Sequence, residues 1–263
     1  MSKESCLIPI PWETRNLGIE SFKVSEYLIK NPDAALLRES IAAGIEKYEK
    51  IFAQARVPKE NLAASPVLAE SGFYFIEAVL TPYTVLKKNR VLRMFKEKKE
   101  EFVPRRINAG DLGLGTLDVK DKKLCGHVKS IAIESFWWDR FHLDPNCPED
   151  VSKNRLAYFM EDLLGDEKVS VDLLEYGGKT IAFMARRGED LILAGFERQY
   201  EISGLSDFFW LSVLERMAGQ GHEKAETLIY HNNTSVLNLY VRLGFAFKNP
   251  GATFHYWSHP LKD

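Results

Sequence analysis

The chain has 263 residues, which is enough for one large domain or two modest ones. Its hydrophobic content of 45% and charged content of 27% are typical of a globular protein, and a net charge of -2 argues against general attraction to nucleic acid or to a membrane surface. The three cysteines are widely spaced, which suits neither a disulfide framework nor a zinc site, and no secretory signal or membrane-spanning apolar run is evident. We therefore expect a soluble cytoplasmic protein with no bound metal.

The first part of the chain predicts a small α/β unit. Residues 6–30 alternate short apolar runs with turn signals, and residues 33–51 read as an amphipathic helix capped by Asp33. A short helix within residues 60–73 then ends in Gly-Phe, directly before an apolar strand at residues 74–80.

A strongly charged stretch at residues 87–99 follows. It is either a basic strip for phosphate groups or a solvated connector, and sequence alone does not separate the two. We place a domain boundary here, with an N-terminal α/β domain at residues 1–95 and a second domain at residues 96–263.

The second part predicts hairpins followed by alternating helices and strands. We expect strands at 102–107, 169–176, 180–186, 190–196, 226–230, 245–248 and 253–257, and helices at 127–136, 155–164, 206–218 and 234–243. This order predicts an α/β (α+β) fold with a mixed, mostly antiparallel central sheet flanked by helices. A gap between two central strands of such a sheet can admit a ligand.

One motif near the C-terminus is the most informative. Asn233 is followed seven residues later by Tyr240, and four residues after that by Gly244 and Phe245. A helix over residues 234–243 places Tyr240 on an apolar face, and Gly244 ends it because glycine takes the left-handed cap conformation at low cost.

This motif resembles the segment that closes the cofactor site in the GNAT superfamily of acyl-CoA N-acetyltransferases. The resemblance covers residues 102–263 element by element and implies the GNAT fold, with acetyl-CoA as co-substrate. The ending Gly72-Phe73 echoes Gly244-Phe245, with Leu68 in the place of Tyr240. We therefore interpret the first domain as a degenerate GNAT-like half.

Three further stretches resemble the dTDP-fucosamine N-acetyltransferases within that superfamily. They are Pro11-Trp12-Glu13 with Leu17-Gly18, Arg140 to Pro145, and Thr253 to Trp257. This resemblance implies a nucleotide-linked amino sugar as the acceptor, acetylated by direct attack of its amine without a covalent enzyme intermediate.

The superfamily resemblance also implies roles for individual residues. Tyr240 would be the general acid for the departing thiolate, since a phenol near pKa 10 is not far from a thiol near 8.5. The backbone N–H near Phe196 would bind the oxyanion, and Asn233 would bind pantetheine, cap its helix, or do both. The pyrophosphate turn would comprise Ile202, Ser203, Gly204, Leu205 and Ser206, with Glu201 standing where the superfamily has Gln or Arg.

On the acceptor side we predict contacts from Trp12, Arg140, Phe141, Asp144 and Tyr256, with Trp137 and Trp138 as further stacking candidates. No general base stands out in the sequence. The candidates are Glu175, His142, Asp144 and His255.

Two other functions stay open at this point. A GNAT-fold enzyme for another small amine or a peptide would keep the cofactor and change the acceptor. The altered turn at Glu201 also allows an inactive acyl-CoA-binding module. In each case the expected partner is a small molecule, with a homodimer as one possible assembly and no nucleic acid or membrane partner.

Overall fold

The structure is a computed structural model that describes residues 6–135, 139–201 and 203–259. The predicted contacts Trp137, Trp138 and Ile202 lie outside the described residues.

The described chain forms one continuous mixed sheet. Its strands are β1 (Leu7–Pro9), β2 (Glu20–Val24), β3 (Ile51–Pro58), β4 (Tyr74–Val85), β5 (Leu112–Thr116), β6 (Val169–Tyr176), β7 (Lys179–Arg187), β8 (Asp190–Phe196), β9 (Lys224–Glu226), β10 (Ile229–Tyr230) and β11 (Ala246–Trp257). The order is β1-β2-β3-β11-β4-β9-β8-β7-β6-β5, with β10 paired to β4 beside this path. Most neighbours are antiparallel, and the parallel pairs are β2 with β3 and β8 with β9.

Helices cover both faces of the sheet. They are α1 (Pro11–Leu17), α2 (Glu26–Lys30), α3 (Ala34–Tyr48), α4 (Ala64–Glu70), α5 (Arg90–Glu97), α6 (Lys122–Ser135), α7 (Glu149–Gly165), α8 (Ser206–Gly219) and α9 (Thr234–Arg242). One apolar core joins α5, α8 and α9 to the sheet, a second lies between α6, α7 and the sheet, and a third joins α2, α3 and α4 to β3. Among the described helices, none has both the length and the apolar character to cross a lipid bilayer.

The two halves repeat one order of elements. The series β2-α3-β3-α4-β4 is matched by β8-α8-β9-α9-β11, apart from the short elements α2 and β10, and each series opens with a parallel strand pair. Both second helices end in the same way: Gly72 has a φ of 87° and Gly244 a φ of 75°. The Phe73 N–H donates to the Leu68 carbonyl at 3.0 Å, and the Phe245 N–H donates to the Tyr240 carbonyl at 3.0 Å.

The halves also exchange their last strands. β11 lies between β3 and β4, and β4 lies between β11 and β9, so each half completes the sheet of the other. The predicted boundary after residue 95 falls inside α5, and the sheet runs across it. The division into two domains and the degenerate half remain predictions.

Asn89 ties the segment between the halves to the end of α9. Its Oδ1 accepts the Leu92 N–H at 2.9 Å and caps α5, while its Nδ2 donates to the Leu243 carbonyl at 2.8 Å. The side chain is buried, so these bonds satisfy polar groups that have little access to water.

Several predicted elements are confirmed. Strands 169–176 and 190–196 have the predicted bounds, helix 206–218 is longer by one residue, and Asp33 caps α3 through its Oδ1. The central architecture, a mostly antiparallel mixed sheet flanked by helices, is also as predicted.

The predicted strand at 102–107 is wrong. Phe102, Val103 and Ile107 instead pack their side chains onto the α5–α8 core as a connector, and the strand that follows is β5, for which the sequence analysis made no prediction. The β5 residues Leu112 and Leu114 also face that core, while the alternating glycines Gly113 and Gly115 lie against Glu175.

Two other elements differ from the prediction in their bounds. The helix predicted from residue 127 begins at Lys122. The last two predicted strands form one strand, β11, with a bulge between Lys248 and Gly251.

Candidate active site

A wedge opens between β8 and β9, because these parallel neighbours part almost at once. Within the described chain they pair only at Asp190 with Glu226. Beyond that pair a cavity of about 100 Å³ separates β8 from the chain at residues 227–230, and Trp210 and Tyr240 line it from α8 and α9. The predicted gap between two central strands is therefore present.

Tyr240 contributes its hydroxyl group to the wedge. The side chain is only 4% exposed, and its oxygen accepts a hydrogen bond from Trp210 Nε1 at 3.2 Å. Because the indole N–H is donor-only, the phenol proton is directed to another acceptor, and the Thr227 side chain is also within reach of this hydroxyl. This geometry suits donation toward a sulfur atom held in the wedge.

Burial weakens Tyr240 as an acid. It raises the pKa of the phenol to about 12, although contacts with Trp210 and Thr227 partly offset the rise. Complete proton transfer to a thiolate with a pKa near 8.5 would then cost about 5 kcal/mol. The close match of acid strengths argued from the sequence does not hold in this site, and the phenol is better suited to donating a hydrogen bond than to giving up its proton.

The backbone amide of Phe196 points toward the open edge of β8. The next residue, Glu197, donates its N–H to the Ile181 carbonyl on the β7 side at 2.8 Å. Because successive backbone amides of a strand point in opposite directions, the Phe196 N–H faces away from β7. The predicted oxyanion donor is thus placed on the wedge side of β8.

The turn before α8 has the shape of an anion cradle. Gly204 has a φ of 82°, and α8 begins at Ser206 with no side-chain hydrogen bond capping its N-terminus. Ser203 Oγ accepts the Leu205 N–H at 3.2 Å and fixes the turn. Backbone N–H groups at an uncapped helix start fit a pyrophosphate.

The connector also reaches this turn. A Cβ atom on Gly204 would lie 3.3 Å from Pro104 Cγ, and the residues after Pro104 are the exposed Arg105 and Arg106. Glu201, at the start of the turn, is exposed. Two cations therefore follow Pro104 in the chain, close to the turn that contains Glu201.

Asn233 caps α9 and lines the wedge at the same time. Its Oδ1 accepts the Val236 N–H at 3.2 Å, while the residue forms part of the cavity wall. The capping role is therefore shown, and contact with pantetheine remains a prediction.

A larger cavity of about 860 Å³ adjoins the wedge. The two cavities share residues 191–193 of β8 together with Thr227, Leu228 and Tyr230. The other walls come from α1 and α7 and from Asp139 and Arg140. We call it the large cavity; its position beside the wedge suits an acceptor.

A buried charge network forms one wall of the large cavity. The Glu13 carboxylate accepts from Arg140 Nη2 at 2.8 Å and from Arg155 Nε at 3.0 Å, and Arg155 Nη1 donates to Asp139 at 3.3 Å. Burial alone would raise the pKa of Glu13, but the charges and hydrogen bonds of Arg155 and Arg140 outweigh it and hold that pKa below its usual value. Trp12 completes the wall: its ring lies under the Arg155 guanidinium, 4.7 Å away, and its Nε1 donates to Asp162.

Phe141 and Asp144 do not line the large cavity or the wedge. Both are 0% exposed. The Asp144 carboxylate accepts from Tyr74 Oη at 2.6 Å and Trp257 Nε1 at 2.8 Å, and it lies 2.7 Å from His255 Nδ1. These contacts fasten the α6–α7 loop to the sheet.

The other sequence candidates lie elsewhere. Tyr256 packs against Phe73, with ring centroids 5.3 Å apart, within the core of α3 and α4. Glu175 lies beside the glycines of β5, and His142 Nδ1 lies 2.8 Å from Asp139. Of the five predicted acceptor contacts, the structure brings Trp12 and Arg140 together on the large cavity.

Glu77 is a polar residue of this region that the sequence analysis missed. It is 0% exposed, and in the described structure neither of its carboxylate oxygens makes a hydrogen bond of good geometry, although Thr253 is close enough to help lower its pKa. It lies opposite Thr253 on β11 and shares a face of β4 with Val79, which pairs with Tyr230 of the large cavity. The available signal was a single carboxylate in the otherwise apolar run of residues 74–80.

The pKa of Glu77 is raised well above its ordinary value. Burial raises its pKa to about 7, and the charges of Arg140 and Arg56 offset only part of that rise. The group is therefore poised to gain and lose a proton near neutral pH. Among the described residues, no cluster of acidic, histidine or cysteine side chains is arranged to hold a metal ion.

Comparison with known proteins shows the fold. No family model matches the chain, and no curated protein matches it by sequence. The solved structures that it resembles include a conserved protein of unknown function from Staphylococcus epidermidis, at 10% identity and a TM-score of 0.60, covering 97% of this chain and 92% of the other.

Two further structures are of acetyltransferases. A GCN5-related N-acetyltransferase from Sphaerobacter thermophilus matches at 12% identity and a TM-score of 0.59, over 92% of this chain and 73% of the other. A tandem GNAT protein from the clavulanic acid biosynthesis pathway matches at 13% identity and a TM-score of 0.59, over 91% and 76%. The chain therefore has the GNAT fold. Nothing in these likenesses points to dTDP-fucosamine N-acetyltransferases in particular.

Replacing Glu77 with Gln should stabilise the protein at alkaline pH. The carboxyl has a pKa of about 7 in the folded chain against an ordinary value of 4.5, so folding favours its neutral form and stability falls as pH rises through this range. We expect Glu77→Gln to be more stable than the wild type by up to about 3 kcal/mol at pH 8 and by little at pH 4. Urea unfolding at both pH values measures this difference.

The matched control is Glu39→Gln, which changes an exposed carboxylate on α3. It should follow the pH dependence of the wild type. If Glu77→Gln also followed it, Glu77 would not be a strained buried acid.

Proposed function

We propose that this protein is an acetyl-CoA-dependent N-acetyltransferase whose acceptor is the primary amine of a nucleotide-linked amino sugar. One observation carries the proposal: the parallel strands β8 and β9 part into a wedge lined by the Tyr240 hydroxyl, and the large cavity opens beside it. A thioester in the wedge would meet an amine that enters from the large cavity.

Acetyl-CoA supplies an activated carbonyl group and a thiolate that can leave. The acceptor amine forms the new C–N bond at that carbonyl as the C–S bond breaks. The Phe196 N–H is oriented to stabilise the negative charge that develops on the carbonyl oxygen. Tyr240 donates a hydrogen bond to the leaving sulfur, which departs as a thiolate with the electron pair of the broken C–S bond and then takes a proton from solvent.

Glu77 is the group that we propose takes the proton lost by the amine. An ammonium ion has no lone pair for attack, so the acceptor must be deprotonated on the enzyme. Glu77 lies on the same sheet face as Tyr230 and makes no hydrogen bond of good geometry in the described structure. Because Glu77 lines neither cavity, the proton reaches it through a water molecule rather than directly.

The acceptor class rests on the walls of the large cavity. Its volume of about 860 Å³ is within the usual range for small-molecule sites and leaves room for a sugar with its linked group. Trp12 offers an aromatic face and Arg140 a guanidinium for a diphosphate, as the resemblance implies. A different small amine or a peptide would fit the same mechanism, and the assays below include such acceptors.

Acetyl-CoA should raise the melting temperature of the wild-type protein. A ligand at a hundred times its dissociation constant stabilises the native state by about 2.7 kcal/mol, which for a chain of this size is roughly 5–10 °C. Differential scanning fluorimetry measures the shift, and crystals soaked with acetyl-CoA should show density between β8 and β9. No shift at millimolar acetyl-CoA would contradict the proposed function.

Tyr240→Phe should lower turnover by about a hundredfold while the KM for acetyl-CoA changes by less than about twofold. The variant keeps the ring but loses the hydroxyl in the wedge. Release of free thiol, measured with a panel of nucleotide amino sugars, polyamines and amino acids, gives the rates. Tyr27→Phe, at an exposed position, is the control and should behave as the wild type; wild-type turnover in Tyr240→Phe would remove this phenol from the mechanism.

The rate should depend on pH through Glu77. With the best acceptor of that panel, kcat/KM for the amine should rise as pH passes about 7, because only the ionised carboxylate accepts a proton. Glu77→Gln should be slower by at least about tenfold at pH 8 and lose that rise. Since the amine itself also titrates, an identical profile in both proteins would assign the rise to the substrate and contradict the role of Glu77.

A further inference from the structure

A separate basic cleft lies in the N-terminal half. It has a volume of about 580 Å³ and is formed by β2, β3 and α2 together with Arg140 and Thr253. The side chains used here are Lys23, Lys30, Gln54, Arg56 and Arg140.

Positive charge in the basic cleft exceeds negative charge. Its walls carry Lys23, Lys30, Arg56 and Arg140 but only one carboxylate, Glu26, which pairs with Lys30 at 3.4 Å. Arg140 is paired with Glu13. Within the described chain Lys23 and Arg56 form no ion pair, and both are exposed, so their charges are available to a ligand.

The position of the cleft repeats that of the wedge. The parallel strands β2 and β3 pair from Glu20 with Ile51 up to Lys23 with Gln54. β2 then ends at Val24, whereas β3 continues to Pro58, and the cleft lies at this divergence. In each half a cavity therefore forms where two parallel neighbours part, but the one in the N-terminal half is lined by cations.

Arg140 connects the two acceptor-side spaces, because it lines both the basic cleft and the large cavity. Its Nη2 is used by Glu13, whereas its buried Nε has no hydrogen-bond partner in the described structure. One elongated ligand can therefore contact this guanidinium from both spaces.

We propose that the basic cleft binds the diphosphate of the nucleotide-linked acceptor, whose amino sugar extends past Arg140 into the large cavity. This inference rests on the proposed function and locates the anionic end of its substrate. Arginine and lysine bind phosphate oxygens through charge-assisted hydrogen bonds, and the amide of Gln54 adds an uncharged donor.

Binding of dTDP to the full chain tests the proposal without acetyl-CoA and without the unidentified acceptor. We expect isothermal titration calorimetry to show saturable binding of dTDP that weakens with added salt, and no binding of thymidine. Lys23→Gln and Arg56→Gln should each raise the dissociation constant by about tenfold, and the double variant by more. Lys23 is exposed, so Lys23→Gln should keep the wild-type melting temperature. The charge of Arg56 acts on the buried Glu77, so the fold of Arg56→Gln is checked at pH 5, where that carboxyl is mostly neutral.

Lys50→Gln is the matched control, since Lys50 is exposed in the same half and does not line the cleft. Its affinity for dTDP should equal that of the wild type. Inorganic pyrophosphate should compete with dTDP, and saturating acetyl-CoA should leave the dissociation constant unchanged within about twofold.

Three results would overturn the inference: no dTDP binding at millimolar concentration, wild-type affinity in the double variant, or displacement of dTDP by acetyl-CoA. The last would place the diphosphate in the wedge. If acetyl-CoA raises the melting temperature while dTDP does not bind, the inference fails and the proposed transferase stands.

Discussion

The candidate active site depends on the separation of two neighbouring parallel strands, β8 and β9, within one mixed sheet. In the described chain, strands β8 and β9 pair at one position only, Asp190 with Glu226. Beyond it, the backbone N–H and C=O groups on their facing edges lack the hydrogen bonds that a paired strand would provide. The arrangement is stable because each is held on its other edge: β8 by β7, and β9 and β10 by β4. The Phe196 amide faces the opened edge of β8 because Glu197, the next residue, donates its N–H to β7 and successive amides alternate in direction.

The acceptor side depends on contacts between distant parts of the chain. Glu13 of α1 accepts hydrogen bonds from Arg140 and Arg155, which belong to the other half. Asp144 in the same loop accepts hydrogen bonds from the β4 residue Tyr74 and the β11 residue Trp257. These buried, charge-assisted contacts hold the α6–α7 loop over the sheet, so the N-terminal half shapes the large cavity as well as the basic cleft.

Much of the fold and part of the site could be predicted from sequence. Local sequence patterns predict β6, β8 and α9 correctly, because apolar periodicity and glycine turns agree there. The spacing of apolar residues also predicts the helix face on which Tyr240 lies. They misled at residues 102–107, because an apolar run packs equally well as a connector over α8. Phe141 and Asp144 were assigned to substrate by their place in a polar aromatic loop, but long-range contacts bury both. Glu77 was missed because its significance lies in making no hydrogen bond of good geometry, which only the packing reveals.

The exchanged strands have a consequence for how the protein is made. The N-terminal half cannot close its sheet until β11 has been synthesised, since Trp257 pairs with Phe52 across most of the chain. Contacts so distant in sequence form slowly, and β3 and β4 present unpaired edges while the polypeptide is still growing. Unpaired edges of this kind can pair with other chains, so we expect the first half to reach its native sheet only after β11 has been made.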